Sequence, residues 1–225
     1  MLKIPQNKKF RHLPDYMKVH LLFISPSNTK VVVFGFCFFL LDFCIIPLVI
    51  PINMGIFLSL TPNLLFINLW AVRLLVKNPY TTQMETVLFI GITSLIGAIC
   101  YFITSMKVSY LFIGITNIWY YMMLLIIFMS ITATFIRVQI EKYATIAHTL
   151  NESKKWYNNR SLLPLIPTGG GVSYILFQST RSNELLMHTI FLFACIAMSI
   201  LFSYISAKYC HKYKFMKQNS HLLII

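Results

Sequence analysis

The residue in this sequence best placed to do chemistry in a membrane is a carboxylate, Asp42. It lies in residues 31–50, a stretch with no other ionisable acid or base and mostly apolar side chains. Holding an ionised carboxylate in hydrocarbon costs about 2.5–3.5 kcal/mol on insertion scales, so it must be protonated, hydrated or hydrogen-bonded. Two uses follow: a proton or cation site, facing a pathway or the pore of an oligomer, or a structural bond to a neighbouring helix. The sequence does not choose between them. Asn63, Asn68 and Asn117 are the nearest partners by depth and complete an ion-pathway set with Asp42. Arg73 stands closer to the interface.

A second set is Thr168, Gly169, Gly170 and Gly171, followed by Val172, Ser173 and Tyr174 and preceded by Pro164 and Pro167. Prolines and glycines make residues 161–179 a poor helix although they are apolar enough to enter a bilayer. Broken backbone at membrane depth is tolerated only where protein or a watery cavity satisfies it, and carbonyls there can line a conduit. The glycine order is not that of a potassium-selectivity filter, so a re-entrant or hinge segment is the expectation. A third set, Tyr143, Trp156 and Tyr157, borders a basic polar segment and is a candidate surface for a soluble partner, since aromatics dominate interface energies. For Trp156 and Tyr157 the competing reading is a belt at head-group level. A fourth set repeats every four residues: Cys195, Ser199, Ser203 and Ala207, with Ser94 and Ala98 a weaker echo. Small residues at that spacing let helix backbones approach closely, within one subunit or between subunits.

Enzymatic chemistry finds little material. The 5 cysteines (Cys37, Cys44, Cys100, Cys195, Cys210) form no CxxC pair, and the 6 histidines (His12, His20, His148, His188, His211, His221) have no metal spacing. HExxH, GxSxG, a phosphate-binding loop and paired acids are not found. The expectation is no enzyme, no cofactor and no metal.

The elements that position these residues are membrane helices. Hydrophobic residues make up 57% of the chain and charged ones 11%, outside the range of soluble domains. The expected fold class is all-α: a polytopic transmembrane helix bundle of five to six membrane segments, one broken or re-entrant, with a short cytoplasmic helical extension. Residues 1–30 form a basic N-terminal segment with an interfacial helix from Pro14 and Asp15 through Tyr16, Met17, Leu21, Leu22 and Phe23. No signal-peptide pattern is expected there. Residues 31–137 hold four spans: 31–50, 56–76, 85–106 and 108–136. The last contains no ionised side chain over 29 residues between Lys107 and Arg137. It is expected to hairpin with its predecessor at Lys107. Residues 138–160 form a cytoplasmic helix and loop, 161–207 the broken segment and a last span from 185 to 207, and 208–225 a basic cytoplasmic tail.

The formal charge of +13 admits a nucleic-acid reading. Its distribution favours orientation instead. With six crossings and both ends inside, only Lys107 and Arg181 of the 19 Lys and Arg fall outside. With five crossings, the four tail lysines move outside and Arg181 moves inside, which leaves 5 of the 19 outside. The positive-inside rule prefers the first. The expected location is therefore an inner (cytoplasmic) or plasma membrane, with the N-terminus and the C-terminus cytoplasmic. The expected partners are the lipid bilayer including anionic lipids, further copies of the chain, and a cytosolic protein, with no direct nucleic acid binding. The expected function is an oligomeric membrane sensor or anchor that binds a cytosolic partner, in an accessory role such as phage defence, exclusion or immunity. The alternative is an ion or proton channel or transporter subunit with Asp42 in the pathway.

Overall fold

A computed structural model of the protein describes residue 4 and residues 10–13, 15–42, 54–143 and 183–223. The described residues are helical throughout their regular structure, with no strand. Helix α1 (Asp15–Leu21) carries its acid in the first turn, where the helix dipole favours it. The chain breaks at residues 22–25, and Pro26 opens α2 (Pro26–Phe34), where its missing N–H costs nothing. The helix then widens into a π-helical stretch, Gly35–Leu41, and the Asp42 N–H bonds the Cys37 carbonyl. Helix α3 (Met54–Val76) contains Pro62 in its interior. Helices α4 (Gln83–Leu111), α5 (Ile118–Lys142) and α6 (Glu184–Gln218) follow.

Three of these helices, α4, α5 and α6, are long and apolar enough to cross a membrane. Within the first two expected spans, the apolar helical stretches among the described residues are Asn28–Phe38 and Thr61–Val76. Of the five to six crossings expected, three are thus shown. The expected broken segment at 161–179 lies outside the described residues, as do the loop at 151–160 and the turn at 51–53.

Two boundaries differ from the expectation. The chain does not turn at Lys107, which is buried within α4. The turn is at residues 112–117, so the uncharged 29-residue stretch is shared between two helices rather than forming one. Gly114 takes φ +79°, a conformation that costs a side-chain-bearing residue energy, and Asn117 caps α5 by accepting the Trp119 N–H at 2.9 Å. A single lysine does not stop a helix; a glycine with positive φ followed by a cap does. Likewise, residues 208–218 are not a separate tail. They are the last three turns of α6, and Tyr209, His211, Phe215 and Met216 keep them packed.

Helix α4 is the axis of the bundle, with α6 its most extensive partner and α5 against α6. The approach of α4 and α6 depends on glycine. A Cβ on Gly91 would lie 2.8 Å from Cys210 Sγ, and one on Gly97 2.8 Å from Phe202 Cδ1. Ser199 Oγ donates to the Ala98 carbonyl across the same seam at 2.9 Å. On the other side of α4, a second core joins Val33, Cys37 and Leu41 of the α2 region to Leu64, Ile67, Ala71 and Leu74 of α3 and to Phe89 and Ile90.

Candidate functional site

Lys142, Lys208 and Lys212 and the described residues nearest both chain ends gather at one end of the bundle. The cause is visible in α6. The four-residue stripe Cys195, Ser199, Ser203, Ala207 does not stop at the last small residue. It continues as His211, Phe215 and Asn219, and all seven are buried. A four-residue step advances about 400° on a helix, so the stripe winds by roughly 40° each time. Its lower part faces α4; its upper part faces α1 and the end of α5.

There the rings stack. The His20 ring lies 4.1 Å from that of Tyr143, and the Tyr143 ring 5.0 Å from that of His211. His20 Nε2 is 3.2 Å from His211 Nδ1. Phe215, Met216, Met17, Leu13 and Val87 close the core around them. Ile4 donates its backbone N–H to Asn219 Oδ1 at 2.8 Å, and Asn219 Nδ2 donates to the Phe215 carbonyl at 2.9 Å. Ile4 is thereby fastened to the end of the last helix.

This clasp holds no positive charge on His20. Burial, then His211, Lys212, Lys208 and Lys142 in that order, push its pKa from 6.5 down to about 3. A neutral imidazole can supply one donor and one acceptor to its neighbour; two protonated rings would set donor against donor. Burial likewise pushes Tyr143 up to about 12, helped by Tyr204 and Tyr16, so the phenol stays protonated. Around this uncharged core stand Lys18, Lys142, Lys208, Lys212, Lys214 and Lys217, while Arg73 bonds Glu85 at 3.4 Å. Trp70 Nε1 also donates to Glu85, at 2.9 Å, tying α3 to the start of α4.

Tyr143, expected on a partner surface, is instead 5% exposed, its ring covered by His20 and His211. Trp156 and Tyr157 lie outside the described residues, as do Thr168, Gly169, Gly170 and Gly171. Cys195, Ser199, Ser203 and Ala207 pack within this chain, with Thr132 Oγ1 donating to Ser203 Oγ at 3.4 Å.

Of the ion-pathway set, the structure brings two together. Asn68 Nδ2 donates to Asp42 Oδ1 at 3.1 Å and to the Leu64 carbonyl at 3.0 Å, while Asn68 Oδ1 accepts from Cys37 Sγ at 3.4 Å. Both amide hydrogens and the amide oxygen are engaged. Asn117 is the cap of α5, and Asn63 is exposed on α3. Among the described residues, no group of three or more His, Cys, Asp or Glu is placed to hold a metal.

Sequence reasoning missed His20, His211, Phe215 and Asn219. For the last three the signal was present as the continuation of the four-residue stripe, but interleaved lysines disguised it; His20 lies on α1, outside that stripe. Compared with family models, curated proteins and solved structures, the chain matches none.

Proposed function

We propose that the protein is a membrane-embedded sensor or anchor that presents its basic end to an acidic cytosolic partner. The observation that carries this reading is the clasp: α1, the ends of α5 and α6 and residue Ile4 are packed into one uncharged core ringed by cations. A pore does not require its chain ends to be fastened together; a docking face benefits from it, because a pre-ordered surface loses less entropy on binding.

The same reading sets the crossings at six, with both ends cytoplasmic in an inner or plasma membrane. Support comes from the direction of the helices. Tyr143 lies at the basic end, and Asn183 starts α6 at the other, about 40 Å away by helix rise over 28 residues to His211. An extra traverse between residues 143 and 183 fits these placements and the charge distribution. Self-association would use the outward face of α5, where Trp119, Met123, Ile126 and Met129 are exposed. An accessory role in phage defence, exclusion or immunity is compatible with such a module.

The test is affinity capture of the full chain from cells after cross-linking. Charge reversal at exposed Arg11 and Lys217 should release the captured cytosolic protein while membrane insertion persists. Retention of the same proteins by the reversed variant would sink the reading.

A second reading rests on Asp42. A carboxylate bonded to Asn68 at the end of a π-helical stretch is the kind of irregular polar feature found at functional sites. If the protein conducts ions or protons, liposomes containing it will pass them and Asp42→Asn will alter the flux. Flux that is the same for empty liposomes and for both proteins removes this reading.

A further inference from the structure

The α5–α6 seam carries two cavities in line. One, of about 190 Å³, is walled by Phe102, Leu124, Phe128, Ile131, Ile196 and Ile200. The other, of about 200 Å³, is lined by the next residues along the two helices, Thr132, Ile136 and Ile140 of α5 and Ser203, His211 and Lys214 of α6. From Ile196 to Lys214 the helix rises about 27 Å, close to the length of an acyl chain plus its head group. The walls are apolar over the lower course, and the upper end finishes at the exposed ammonium of Lys214, with Lys217 one turn on.

We propose that this seam is a binding site for one anionic phospholipid. An acyl chain lies between α5 and α6, and the phosphate rests against Lys214 and Lys217. Three features commit the seam to a lipid. It is lined by helices apolar enough to span a bilayer, its lining changes from apolar to cationic along its length, and the cationic end lies on the face where anionic lipid accumulates if that face is cytoplasmic. The neighbouring basic side chains on α5 do not compete for the phosphate on equal terms, because Arg137 is already bonded to Glu141. A second copy of the chain would bring the same cations against themselves.

The test uses purified full-length protein in nanodiscs of phosphatidylcholine containing a minority of phosphatidylglycerol, followed by native mass spectrometry. The expected result is about one phosphatidylglycerol retained per chain in preference to phosphatidylcholine. Lys214→Glu should cut that preference roughly 25-fold, since each cation near an anionic surface is worth about a factor of five and reversal counts twice. Ile136→Trp, which fills the seam from its open side, should abolish retention of either lipid. Both positions are exposed, and an unchanged elution profile and melting transition confirm folding. Equal retention of the two lipids, or an unaltered preference in Lys214→Glu, overturns the proposal. Lipid retention by Ile136→Trp at the level of the unaltered protein also overturns it, because the lipid then sits elsewhere than in the seam.

Discussion

The imidazoles of His20 and His211 meet at 3.2 Å although 191 residues separate them in the chain. This contact makes the closure of the basic end sensitive to protons. His20 is held neutral, its pKa lowered from 6.5 to about 3 by burial and by His211, Lys212, Lys208 and Lys142. A group lowered in this way contributes stability that is complete above its pKa in the opened chain and is lost as pH falls. Between about 6.5 and 3 the opened state binds the extra proton. Closure should therefore weaken by up to about 1.4 kcal/mol per pH unit over that window. Hydrogen exchange of the α1 amides, followed from pH 7 to pH 4.5 after correction for intrinsic rates, measures this. His20→Phe should flatten the slope; an equal slope in both proteins would assign it elsewhere.

Asn219 supplies the other half of the closure. Its side chain is buried, accepts from the Ile4 N–H at 2.8 Å and donates to the Phe215 carbonyl at 2.9 Å. Asn219→Ala leaves a buried donor without its acceptor, a loss of about 1–3 kcal/mol. Protection of the Ile4 amide should fall roughly ten- to hundredfold, while protection within α4 stays unchanged. Asn219→Asp keeps an acceptor for Ile4 and should lose less.

How much of this was legible depends on the range of the interaction. The helical membrane class follows from long apolar runs, and the start of α1 from Pro14 and Asp15, because both signals are local. The pairing of Asp42 was narrowed to a few amides by depth, but only packing singles out Asn68. Lys107 misled because a charge in an apolar run resembles a boundary. The stronger breaking signal lay a few residues later at Gly114 and Asn117. The Ile4–Asn219 bond joins residues 215 apart, and no local pattern encodes it.

Helix approach gives a third prediction. A Cβ on Gly91 would meet Cys210 Sγ at 2.8 Å and the Cys210 backbone nitrogen at 3.1 Å. The thiol can rotate, but the Cys210 backbone nitrogen is fixed in α6 and cannot. Gly91→Val should destabilise the bundle by about 1–3 kcal/mol, read as a lower melting temperature in detergent. Gly35→Ala is the control: nothing lies within 4 Å of its Cβ position, so no loss is expected.

The Asp42–Asn68 bond yields a prediction that separates the two partners. Asn68→Leu removes the donor and leaves the carboxylate half-buried in an apolar surrounding without the bond described for it. Breaking one side of such a pair costs more than replacing both, because the survivor keeps its desolvation penalty. Asn68→Leu should therefore lower stability by about 2–4 kcal/mol, and Asp42→Asn, which keeps a polar group able to accept from Asn68, by about 1 kcal/mol or less. The double variant Asp42→Leu with Asn68→Leu should recover most of the loss. A double-mutant cycle in detergent unfolding measures the coupling, which should be at least about 1 kcal/mol. Additive losses would mean that the two side chains contribute independently and that the carboxylate has another source of stabilisation, as a hydrated site in a conducting pathway would provide.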